Sequence, residues 1–114
     1  MIINIQATGI ELTNALRLYA EEKISGLTKF FDNIMQADID IGMLSHHHQK
    51  GEIYYAEVNL HVPNKIVRVV KESDDLYKAI DKVKDHLKLE LDELKQRMRE
   101  HHRDAVRNNK EYQG

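Results

Sequence analysis

The chain has 114 residues, no cysteine, and a formal charge of -2 at pH 7, from 17 lysines and arginines against 19 aspartates and glutamates. That length suits one compact domain. The lack of cysteine excludes disulfides and thiolate metal centres, and the charge lacks the basic excess by which nucleic-acid binders usually announce themselves.

At the N-terminus, Met1-Ile2-Ile3-Asn4-Ile5-Gln6 has neither the basic nor the long apolar region of a secretion signal. No apolar run approaches the roughly 20 residues that span a bilayer, so the expected location is cytoplasmic. Ile3, Ile5 and Ala7 alternate with Asn4 and Gln6, the period of a strand, and Thr8-Gly9 ends it. Thr13 is placed to cap a helix, because its hydroxyl accepts from a free amide of the first turn. From there Leu16, Tyr19, Ala20, Ile24, Leu27 and Phe31 recur at steps of three and four along one helix face, until Asp32-Asn33 breaks it.

Ile39, Ile41 and Met43 alternate with Asp38, Asp40 and Gly42 in a second strand, and the polar stretch 45–51 reads as a loop. Ile53 to Val62 forms a third strand, with Tyr54, Ala56, Val58, Leu60 and Val62 on one face. Pro63-Asn64 is a turn, and 65–71 makes the fourth strand. Short spacing implies antiparallel hairpins among the last three strands. Ser73 or Asp74 then caps a long helix whose apolar seam is Leu76, Ile80, Val83, Leu87, Leu91, Leu94 and Met98. About 30 helical residues extend about 45 Å, more than a small sheet covers, so the distal part projects, frays or meets a partner.

The order is β-α-β-β-β-α. The economical packing is a two-layer α+β sandwich, with a four-stranded sheet carrying both helices on one face. Residues 1–100 form the domain, and 101–114 are expected to be a basic C-terminal tail, a candidate for disorder. Beyond Gln96 five basic residues meet three acidic ones, leaving the tail at +2 and the rest of the chain at -4. Any RNA site is therefore a local stripe on a mildly acidic body.

The candidate stripe lies on the last helix. Lys84, Lys88, Lys95 and Arg99 fall within about 60° of one another at 3.6 residues per turn, while Lys78 and Lys82 form a separate stripe. Arg17, Lys23 and Lys29 belong to the first helix. Phosphate contacts require only positive heads on flexible stems. The plainer alternative is a solvated face with ion pairs to Asp81, Asp85, Asp92 and Glu100, and composition by itself favours it.

Other chemistry is thinly represented. His46-His47-His48 are imidazole donors, but adjacent residues in a loop rarely converge on one ion, and neither an HExxH spacing nor cysteine supports a zinc site. The five glycines are isolated, so no phosphate loop is written, and there is no GxSxG. Neither enzyme nor cofactor is expected. Tyr54, Tyr55 and His61 offer stacking surfaces on the third strand, although packing is the commoner fate of such tyrosines, and His61 reads as structural.

A resemblance decides between these readings. Glu11-Leu12-Thr13-Asn14-Ala15-Leu16-Arg17, then Lys23 and Leu27-Thr28-Lys29-Phe30-Phe31, resemble the first helix of the short-form ribosome hibernation promoting factor and ribosome-associated inhibitor family. Asp74-Asp75-Leu76-Tyr77-Lys78-Ala79-Ile80-Asp81 resembles the start of that family's second helix, and Ile3-Asn4-Ile5 and Leu60-His61-Val62-Pro63-Asn64 match as well. These segments run in order across roughly residues 1 to 98, and their collinearity outweighs the composition.

The resemblance implies the β-α-β-β-β-α fold and inhibition of translation in stationary phase or stress. It implies binding in the small-subunit channel where messenger RNA and the aminoacyl- and peptidyl-site transfer RNAs sit. Basic residues on both helices would touch ribosomal RNA. Arg17, Lys23 and Lys29 match first-helix positions, and Lys95 and Arg97 match distal second-helix positions. His86, Leu89 and Glu93 stand where relatives often carry basic residues, and Glu90 replaces a common glutamine; Lys78, Lys82, Lys84 and Lys88 compensate from nearby. The chain is expected to lack the extra C-terminal domain of long-form members, to be monomeric when free, and to bind neither membrane nor DNA. The alternative is a protein-interaction module that pairs its projecting helix with a partner through Leu94 and Met98.

Overall fold

The computed structural model describes residues 1–47 and 51–113. Strands β1 (Ile2–Thr8), β2 (Gln36–His47), β3 (Gly51–Val62) and β4 (Lys65–Ser73) form one sheet in the order β1-β2-β3-β4. Helix α1 (Asn14–Ser25) crosses between β1 and β2, which are parallel, and α2 (Leu76–Gln113) follows β4. β2, β3 and β4 are antiparallel neighbours. The architecture is the expected α+β sandwich.

Alternation decides what each strand buries. Ile39 and Ile41, then Ala56, Val58, Leu60 and Val62, then Val67 and Val69 face the helices. Helix α1 and the turn after it contribute Ala20, Ile24, Leu27 and Phe31, and α2 contributes Leu76, Ala79, Ile80, Val83, Leu87 and Leu91. Among the described residues no polar or charged side chain is buried, so burial of apolar area is the principal stabilising term. Leu94 packs at the edge of the core, whereas Met98 is 52% exposed. From Lys95 to Arg103 every residue is exposed. The 38 residues of α2 give a rod about 57 Å long at 1.5 Å per residue, and it projects past the sheet in a molecule measuring 68 × 29 × 18 Å.

Three local expectations are corrected. Helix α1 does not run to Asp32: it stops at Ser25 and tightens into a 3-10 turn, Gly26–Lys29. The Ser25 hydroxyl donates to the Glu22 carbonyl and the Thr28 hydroxyl to the Ser25 carbonyl, satisfying groups that a helix end leaves free. Helix α2 is capped by Asp75 rather than Ser73 or Asp74; its carboxylate accepts from the Tyr77 amide at 2.8 Å. The stretch 45–51 is not all loop. After an extra residue at Leu44, Ser45, His46 and His47 continue β2, paired with Ile53, Glu52 and Gly51. Of the three adjacent histidines, His48 lies outside the described residues.

Two expectations stand unchanged. The Thr13 hydroxyl accepts from the Leu16 amide at 3.2 Å, and Asn64 takes the left-handed conformation, φ 64°, in the β3–β4 turn.

Candidate nucleic-acid interface

The two helices lie side by side, and the seam between their outer surfaces gathers cations from both. Lys23 near the end of α1, Lys29 in the 3-10 turn and Lys84 on α2 line one depression of about 440 Å³, with Tyr19, Glu22 and Phe30. Lys88, one turn further along α2, sets its ammonium 4.4 Å from the centre of the Phe30 ring. Lys95 donates to the Phe30 carbonyl oxygen at 3.4 Å. Phe30 is thus the pivot of the groove: its ring seats one lysine and its backbone another.

Tyr19 organises the other end. Its hydroxyl donates to Asp81 at 2.6 Å, and its ring meets Tyr77 edge to face at 4.9 Å. The hydrogen bond to Asp81, with burial and the nearby negative charge adding to it, pushes the Tyr19 pKa up to about 12, so it stays a donor. Lys23 lies 3.8 Å from the same carboxylate and 5.4 Å from the Tyr19 ring centre. These contacts hold Lys23 over the groove with its side chain 40% exposed.

The remaining predicted residues lie elsewhere. Arg99 continues the stripe past the sheet, lining a cleft with Lys95. Arg17 is about 120° around α1 from Lys23 and sits 3.9 Å from Glu21. Arg97 pairs with Glu93 at 3.5 Å. Lys82 reaches the Glu72 carbonyl of β4 at 3.2 Å, on the opposite flank of α2, and Lys78 is exposed outside the groove. Of the four acids expected to neutralise the stripe, Asp81 pairs across to Lys23, and Asp85 meets its neighbour Lys84 at 3.6 Å. Phe30 and Tyr19 are the residues that sequence reasoning missed. Phe30, next to buried Phe31 and outside the apolar series, carried no signal of its own in the spacing.

The outer face of the sheet has the opposite character. Asp38 accepts from Asn4 at 3.0 Å and Gln36 at 2.8 Å and meets His61 Nε2 at 2.8 Å, and these bonds lower its pKa to about 2. Asp40 accepts from Thr8 at 3.2 Å and Tyr55 at 3.1 Å. Arg68 donates to Glu57 at 2.7 Å. Tyr55 and His61 are therefore engaged in this polar network, and Tyr54 donates to Glu52. Among the described residues no three potential ligands converge as a metal would require, and no helix is long and apolar enough to cross a membrane.

The fold and the groove define a two-layer α+β domain with a cationic helix face and an acidic sheet face. The profile of the family described as sigma 54 modulation protein / S30EA ribosomal protein matches residues 3–99, and the chain belongs to that family. It is 32% identical over 101 residues to the ribosome hibernation promoting factor of Klebsiella oxytoca, covering 89% of this chain and all of that one. To the factor of Azotobacter vinelandii it is 36% identical over 91 residues, covering 80% and 79%. It spans about half the length of other curated relatives, 54% of the ribosome hibernation promotion factor of Lactococcus lactis and 50% of that of Deinococcus radiodurans. The crystal structure of the Thermus thermophilus Protein Y N-terminal domain superposes with a TM-score of 0.72 at 29% identity, covering 82% of this chain and 99% of that one.

Proposed function

We propose that the protein is a ribosome hibernation factor, without catalytic activity, that docks its two-helix face on small-subunit ribosomal RNA. In this reading the body occupies the path of messenger RNA and of the aminoacyl- and peptidyl-site transfer RNAs, and translation stops by exclusion. The work is done in the cytoplasm, where ribosomes are. The observation that carries the reading is the groove in which Lys23, Lys29, Lys84, Lys88 and Lys95 converge from α1, the 3-10 turn and α2 around one phenylalanine. Family membership supports the ribosome as target.

Lysine contacts to phosphate fix register and orientation but carry no base information, so docking relies on the shape of folded RNA. The acidic sheet face works in the same direction, because RNA repels it and only one side of the molecule is offered. The test is competition: small subunits loaded with the protein are titrated with transfer RNA and messenger RNA. Displacement in proportion to transfer RNA occupancy is expected. Simultaneous, independent binding of protein and transfer RNA would refute occlusion.

The interaction-module alternative weakens on one point. Leu94 packs against the core, so of the two proposed anchors only Met98 is offered to a partner.

A further inference from the structure

Past the lysine groove, where α2 leaves the sheet, a second cavity opens. It measures about 540 Å³ and lies between Phe31, Asp32 and Asn33 on one side and Lys95, Met98, Arg99, His102 and Arg103 on the other. Its composition differs from that of the groove. The floor is apolar, formed by the rim of the Phe31 ring, itself only 6% exposed, and by the Met98 side chain. On the α2 side the rim is cationic, with Lys95, Arg99 and Arg103 spaced one turn apart along one face of the helix, and on the other side Asp32 and Asn33 line it.

An apolar floor with three cations on one side and Asp32 and Asn33 on the other suits a ligand that is flat and apolar in the middle, anionic along one edge and able to donate hydrogen bonds along the other. From this chemistry we infer that this cleft receives one unstacked nucleotide of an RNA strand. The base lies on Met98 and the Phe31 edge, and the flanking phosphates lie against Arg99 and Arg103. Splayed bases stack on aromatic side chains and guanidinium planes, extruded bases are also held between aromatic and apolar side chains, and the volume is within the range of small-ligand pockets.

Continuity supports the assignment. Lys95 belongs to both places: its ammonium is tied to the Phe30 carbonyl at the end of the groove and it also lines the cleft. A backbone tracked by Lys84, Lys88 and Lys95 is delivered to the cleft mouth. The inference rests on the RNA-docking reading of the groove and adds to it a contact with a base. The groove reads phosphates alone; the cleft supplies a non-electrostatic term.

The variant Met98→Ser removes the floor without touching the fold, since Met98 is exposed. Wild type and variant are bound to purified small subunits. Affinity is measured across a salt series, and the RNA is probed with hydroxyl radicals for backbone and with a base-edge reagent for bases. Stacking of one base is worth roughly 5- to 150-fold, and a thioether floor falls at the lower end, so about a fivefold loss of affinity is expected with an unchanged salt slope. One base protected by the wild type should regain reactivity while backbone protection stays. A variant with wild-type affinity and the same base footprint overturns the inference and leaves the groove reading intact. Weakened binding with no change at any base also overturns it, and assigns the cleft to a protein side chain. Absence of wild-type binding at low salt removes the groove reading and this inference with it.

Discussion

Replacing Lys84 and Lys88 by glutamine removes two adjacent cations from the groove and adds no repulsion. Each lysine that neutralises a phosphate releases counterions, contributing about 0.7 to 0.9 to the slope of log affinity against log salt. The double variant should therefore flatten the slope by about 1.4 to 1.8. At 0.1 M salt each lost contact weakens binding about five- to eightfold, so the pair costs about 25- to 60-fold. The fold is spared: Lys88 loses its seat on the Phe30 ring, 4.4 Å away, a contact worth about 0.5–1 kcal/mol. For a domain this size the melting temperature then falls by at most about 5 °C. Co-sedimentation with small subunits at several salt concentrations reads the slope, and circular dichroism reads the melting temperature. The matched control is Lys82→Gln with Arg97→Gln, about 160° and 140° around α2 from Lys84, where the slope should stay within error. A groove variant with the slope and affinity of the wild type would refute the argument, because the amines around Phe30 would then not be the phosphate track.

Two further expectations concern the scaffold. Gly42 is buried opposite Thr8 and Tyr55, and a methyl group there overlaps the Thr8 carbonyl oxygen and comes within 2.9 Å of the Tyr55 ring. Gly42→Ala should cost about 3 kcal/mol, the upper end for overpacking, visible as a lower urea midpoint; an unchanged midpoint would contradict it. Asp38 is held at a pKa of about 2 against an ordinary 3.8 by Asn4, Gln36 and His61. A lowered folded-state pKa means that its stabilisation is present above about pH 4 and is lost as pH falls toward 2. Asp38→Asn should therefore flatten the stability-against-pH curve between pH 4 and 2, measured by urea denaturation. An identical acid limb would show that Asp38 is no better solvated by the fold than by water.

Much of the fold was legible because period and polarity agreed. Ile39 and Ile41 between Asp38 and Asp40, and Val58 and Leu60 between Glu57 and His61, mark both faces of the sheet, and the Leu76-to-Leu91 seam orients α2. The misreadings share one cause: residue types that satisfy several geometries. Leu27 and Phe31 keep helical spacing although the chain has tightened into a 3-10 turn. Ser73, Asp74 and Asp75 are all good caps, and only geometry selects Asp75. The extra residue at Leu44 breaks alternation, so the strand beyond it carries no periodic signal.

The interface was legible in outline, since two helices on one sheet face leave a groove between them, but not which cations of the two helices share it. The angular coincidence of Lys84, Lys88 and Lys95 follows from 3.6 residues per turn. That Lys23 and Lys29 join them requires α1 to lie beside α2, a tertiary fact. The same is true of the Phe30 pivot and of the Tyr19–Asp81 bond that spans 62 residues of sequence. Arg17 and Arg97, by contrast, have acidic neighbours four residues away in Glu21 and Glu93, and that spacing is visible in the chain itself.

The central claim, that the helix face docks on ribosomal RNA by phosphate contacts, is tested most directly by co-sedimentation of the full chain with purified small subunits across a salt series. Five to six groove cations predict stoichiometric binding at low salt and a slope of log affinity against log salt of about -4 to -5. A slope near zero, or no binding at low salt, would contradict it.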